Sequence, residues 1–92
     1  MTTVIKKKGS KETFSNEKIK ESIRKAVRDA GLKVEDKNDM INKISLEVTN
    51  LVMKQNEIKS ADIRKMVIDR LKKADARVAK SWENYEKKKK AK

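Results

Sequence analysis

Ile19, Ile23, Ala26, Val27 and Ala30 recur three and four residues apart, the spacing that lays an apolar stripe along one side of an α-helix. Gly31 follows as a stop signal, which predicts a first helix over about 16–30. Residues 32–37 read as a polar connection, with Asp36 or Asn38 available to cap a second helix. The stripe of that helix, Ile41, Ile44, Val48, Leu51 and Val52 with Met40 at its margin, places it over about 38–54. Residues 55–59 read as a turn. Ser60 is the expected N-cap of a third helix, with Asp62 in its first turn and Ile63, Met66, Val67 and Leu71 on its buried side. Asp75 is placed to cap a fourth, whose inward candidates are Val78, Ala79, Trp82 and Tyr85. Ahead of the helices, two short extended arms, 4–6 and 12–14, flank a turn that Gly9 can close with positive φ. The predicted fold is mainly α: a four-helix bundle capped by an N-terminal two-stranded β-hairpin. A lone hairpin is marginal in water, so it must dock on the first helix or on a ligand.

Composition narrows the chemistry. At 92 residues the chain is near the size at which one hydrophobic core is just sufficient, and we expect a domain over 1–86 followed by a basic tail over 87–92. Only 36% of residues are hydrophobic and 43% are charged, so apolar positions must be confined to one face of each helix. Neither cysteine nor histidine occurs, which excludes disulfides, thiolate or imidazole metal sites and histidine-based catalysis. Apolar runs of two or three residues are far too short for a bilayer, and the N-terminus has no apolar leader; no membrane association and a cytoplasmic location are expected. The formal charge is +12, from 26 basic and 14 acidic residues. That charge predicts an anionic partner: a nucleotide, nucleic acid or an acidic protein surface. There is no G-x-x-x-x-G-K-[ST] phosphate loop, and the carboxylates sit in surface patterns beside lysines. The expectation is a protein that is not an enzyme.

The lysines at the N-terminus carry the sharpest signal. Lys18 falls in the first turn of the first helix, where a cation opposes the helix dipole. An anion held between Lys6, Lys7, Lys18 and the helix N-terminus would account for it. Simpler readings stand beside that one. Lys6, Lys7 and Lys8 can form a solvated edge that discourages strand pairing, Ile19 can be plain core, Val4 an inward strand residue, Glu12 a cross-strand partner for a lysine and Ser15 a helix cap. As neighbours on one strand, Lys6 and Lys7 are expected to face opposite ways.

The order V-x-K-K-x-G-x-x-E-x-F over 4–14, then Lys18-Ile19 opening a helix, resembles the ATP-cone. This small nucleotide-binding regulatory domain stands at the N-terminus of many ribonucleotide reductases, in a bacterial repressor of reductase genes and at the front of some archaeal kinases. The resemblance covers nearly the whole chain, with I-K-S-A-D-I at 58–63 and an aromatic-basic close at 82–88. Departures are Lys6-Lys7-Lys8-Gly9 where the family usually has K-R-D-G, and Tyr85-Glu86 where it often ends Y-R.

By that resemblance the chain is a stand-alone ATP-cone-like module. It would bind ATP or dATP as an effector, with Mg2+ as an optional companion, and act through a protein partner such as a ribonucleotide reductase or kinase, or through self-association. The resemblance implies that Lys6 and Lys18 meet the phosphates with help from Lys7, and that Ile19 lies against the base. Val4, Glu12 and Ser15 would line the pocket. Ser60 stands for a common threonine and Arg64 for a frequent histidine near the nucleotide, and Lys87 or its neighbour Lys88 matches a C-terminal basic residue. Two competing readings are a small basic nucleic-acid-binding protein and a cone fold that has lost nucleotide binding. The first lacks stacking residues, since Phe, Trp and Tyr occur once each and Trp82 and Tyr85 are expected in the core.

Overall fold

A computed structural model describes residues 2–90 of the chain, with side chains described as far as Tyr85. Its elements are β1 (Thr3–Ile5), β2 (Lys11–Thr13), α1 (Asn16–Asp29), a 3-10 turn (Val34–Lys37), α2 (Asn38–Val52), β3 (Glu57–Lys59), α3 (Ser60–Ala74) and α4 (Ala76–Lys90). All four expected helices form, each on its own apolar stripe. Ile23, Val27, Ile41, Val48, Val52, Val67, Leu71 and Val78 are fully enclosed. α1 ends where Gly31 adopts φ +79°, with the Gly31 and Leu32 amides turning back onto the carbonyls of Arg28 and Val27, the closure that a left-handed residue permits.

The hairpin is the point of difference. Gly9 takes φ +88°, and the Lys6 and Gly9 amides donate to the Ser10 and Lys6 carbonyls to close the turn. Yet the hairpin does not stand alone. Residues 57–59, expected as part of a turn, form β3, which pairs parallel with β1, so the sheet order is β2-β1-β3. The structure is therefore a four-helix bundle with a small three-stranded sheet. The third strand was hidden because it contributes a single apolar residue, Ile58, and acquires its hydrogen bonds from residues more than fifty positions away. Val4 pairs with Glu12 on one side and Ile58 on the other; Val4 and Ile58 are buried. The buried Thr2 hydroxyl lies 3.1 Å from the Val52 carbonyl oxygen and 2.7 Å from that of Gln55, tying the start of β1 to the end of α2.

Other differences are local. Leu51, expected in the second stripe, is 36% exposed, while Ser45 on the same helix is buried with its hydroxyl donating back to the Asn42 carbonyl. Ser60 is the first residue of α3 and not its cap; Lys59 holds the cap position, with no side-chain cap bond. Ser15 does occupy the cap position of α1, again with no side-chain cap bond. Tyr85 is half-buried and not enclosed. No helix among the described residues is long and apolar enough to cross a membrane.

α4 has the one side-chain cap of the bundle among the described residues. Asp75 Oδ1 accepts from the Arg77 and Val78 amides at 3.0 and 3.4 Å, and Oδ2 lies 3.0 Å from Lys37 Nζ. The Lys37 ammonium, with those two amides, holds the Asp75 carboxyl below its ordinary range against the opposing effect of burial. Asp75→Ala is expected to cost about 1 kcal/mol, read as a fall of roughly 4–8 °C in melting temperature. Because the folded pKa is depressed, this stabilisation is complete above the unfolded value and fades as pH falls through the folded one. Melts of both proteins at descending pH should therefore converge in acid.

Candidate functional site

The concave surface between the sheet and the helix bundle has two joined compartments. The inner one, about 180 Å3, is walled by Val4, Phe14, Ile19, Ile63, Val67 and Trp82, with Ser15 at one side. The outer one, about 540 Å3, is lined by Lys6, Lys7, Lys8 and Ser10 from the hairpin, Glu21 and Lys25 from α1, and Tyr85 from α4. Glu12, Lys18, Ser22, Ser60 and Arg64 border both. An apolar recess thus adjoins a lysine-lined mouth, and the polar residues common to both form the neck between them.

Each wall follows from local structure. Glu12 pairs with Val4 across the hairpin, which puts both on the face of the sheet turned to the helices. Lys18, in the first turn of α1, reaches the same carboxylate. Glu12 Oε2 lies 3.0 Å from Lys18 Nζ and 3.2 Å from Lys6 Nζ. The Lys18 ammonium, joined by that of Lys6, holds the Glu12 carboxyl below its ordinary range, with partial burial acting the other way. The dipole-opposing cation at Lys18 is thus answered in part by a carboxylate. Trp82 Nε1 donates to Ser22 Oγ at 3.4 Å, and Ser22 Oγ donates to the Ile19 carbonyl at 2.8 Å, fixing the indole against the inner recess.

The N-termini of α1 and α3 both open here, and neither has a side-chain cap. The first amides of each helix therefore retain hydrogen-bonding capacity toward the cavity. α4, which starts elsewhere, is capped by Asp75. Uncapped amides beside ammonium groups form an environment suited to an anion.

Of the residues singled out in the sequence, the structure brings Val4, Lys6, Lys7, Glu12, Ser15, Lys18, Ile19, Ser60 and Arg64 to this one concavity. Lys87 lies in α4, but its side chain is outside the described residues. Lys6 and Lys7 both border the outer compartment; β1 ends at Ile5, so strand alternation does not extend to them. Among the described residues Arg64 forms no ion pair with a carboxylate. Phe14, Ser22, Lys25, Ile63, Trp82 and Tyr85 also line the cavity and were missed as site residues. Helical spacing carried a signal for Lys25, which lies seven residues, two turns, beyond Lys18. Among the described residues no three His, Cys, Asp or Glu side chains are grouped to hold a metal ion.

Comparison with known proteins gives a consistent picture. The ATP cone domain family matches residues 2–91. The chain is 33% identical over 69 residues to the transcriptional repressor NrdR of Prochlorococcus marinus (strain MIT 9303), covering 75% of this chain and 42% of that protein. It is 36% identical over 72 residues to the transcriptional repressor NrdR of Caldicellulosiruptor bescii, covering 78% of this chain and 46% of that protein. The chain thus spans less than half the length of these relatives.

Proposed function

The chain belongs to the ATP cone family of nucleotide-binding regulatory modules, and on that premise we propose that it binds ATP or dATP as an effector in the two-compartment cavity. The observation that carries the reading is the apolar recess of Val4, Phe14, Ile19 and Trp82 leading through Glu12 and Lys18 into a lysine-lined mouth. A base is apolar on its faces and a polyphosphate is anionic, so the division of the cavity matches the division of the ligand. Lys6 and Lys18 would take phosphate oxygens with Lys7 in support. Ser15, Ser60 and the open helix amides would supply neutral donors, Arg64 a further cation at the neck, and Glu12 an acceptor for a hydroxyl or amino group. Lys87 remains the candidate from the end of the chain. Mg2+ would be carried chiefly by phosphate oxygens and water. The nucleotide is read as a signal and not as a substrate, in keeping with relatives that are repressors. The bound state would act on a protein partner, such as a ribonucleotide reductase or kinase, or on a second copy of the chain.

Trp82 on the recess wall provides the test. Its fluorescence, titrated with ATP, dATP, GTP and a short DNA duplex, should saturate selectively with adenine nucleotides. Micromolar affinity, about 8 kcal/mol, is within reach of several charge-assisted contacts and a buried base. No saturation with either adenine nucleotide would defeat the reading.

A second reading, nucleic-acid binding, is favoured by the +12 charge and by the transcriptional repressors among the relatives. It requires that the duplex bind and that its affinity fall steeply with salt.

A further inference from the structure

Lys25 stands apart from Lys6 and Lys18. Lys6 and Lys18 are already engaged by Glu12, whereas no described carboxylate lies within ion-pair distance of Lys25. Its ammonium is instead 5.8 Å from the centroid of the Tyr85 ring, and both residues line the outer compartment. An aromatic face attracts a cation without neutralising it. Tyr85 therefore positions the ammonium and leaves its full charge for an anion. Seven residues separate Lys18 from Lys25, so the two lie on one face of α1 about 10 Å apart along its axis. Lys18 borders the inner recess, and Lys25 belongs only to the outer mouth. A ligand whose base occupies the recess and whose phosphates pass Lys18 can reach Lys25 only with the far end of its polyphosphate.

We propose that Lys25, held by the Tyr85 ring, is the residue that reads polyphosphate length, taking the terminal phosphate and setting the preference for triphosphates over shorter nucleotides. This rests on the nucleotide-binding reading above and adds a specificity determinant to it. Lys25 is the discriminating group and Tyr85 its positioning residue.

The experiment is a calorimetric titration of ATP, ADP and AMP into the wild-type chain and into K25A, K25R and Y85L. Lys25 is exposed, so its replacement by alanine in a helix leaves the fold intact. The wild type should bind in the order ATP, ADP, AMP. K25A should lose roughly tenfold for ATP, as expected when a charge-assisted contact is removed, and less than twofold for AMP. K25R should retain most of the ATP preference, and Y85L should fall between wild type and K25A. Equal weakening of all three nucleotides in K25A, or no weakening of ATP, would overturn the assignment of Lys25 while leaving the nucleotide site in place. A wild type that binds none of the three would instead overturn the nucleotide reading, and this inference with it.

Discussion

Lys18→Ala is expected to weaken ATP binding by roughly ten- to a hundredfold, the range for a lost hydrogen bond to a charged group, while leaving the fold intact. Lys18 lies where the mouth, the neck and the first turn of α1 meet. Its ammonium can act on a phosphate together with the open amides of that turn. Its contribution to the fold is small, because two effects of similar size oppose one another. A surface bridge to Glu12 contributes about 0–1 kcal/mol, and a cation at a helix N-terminus costs about 0.3–1 kcal/mol. The melting temperature without ligand should therefore move by only a few degrees, and isothermal titration should show the loss as a raised Kd. An unchanged Kd in a folded Lys18→Ala protein would remove Lys18 from the phosphate site.

The second large effect is on stability. Leu71→Ala is expected to cost about 2–5 kcal/mol, since Leu71 is fully enclosed in the core shared by the four helices. That loss is a large share of the roughly 5–15 kcal/mol available to a small domain. Denaturant unfolding should show a much lower midpoint, with partial unfolding near physiological temperature. Leu46, 59% exposed on α2, provides the contrast: its replacement by alanine should change stability by no more than about 0.5 kcal/mol. Equal midpoints for the two variants would contradict the burial pattern.

The helices were legible because each carries its own periodic stripe, a signal contained within fifteen residues or fewer. Gly9 and Gly31 were legible as positive-φ positions because the chemistry of a tight turn leaves few alternatives. β3 was not, because three residues with one apolar side chain have no period, and its identity comes from β1. Leu51 shows the limit of stripe reading. It lies next to Val52, and at 100° per residue only one of two such neighbours can sit at the centre of the buried face.

The cavity was partly legible for a similar reason. The lysines and Glu12 lie in one continuous stretch, so their convergence on the hairpin-helix junction follows from local geometry. Trp82, Ile63 and Tyr85 arrive from α3 and α4, and their place in the wall is set by bundle packing, which no local pattern contains. Ser60 was noticed for its capping chemistry, yet the helix start at Ser60 leaves the cap position to Lys59.

The missing side-chain caps on α1 and α3 bear on the energetics of the empty protein. A serine hydroxyl capping either helix would contribute about 1 kcal/mol, and the protein without ligand lacks both contributions. An anion that completes those helix ends joins the folding equilibrium itself, since whatever binds only the native state raises its stability by mass action. On the nucleotide-binding reading proposed above, occupancy and thermal resistance are thus a single linked quantity, so the nucleotide concentration around the chain would also set the fraction of it that is folded.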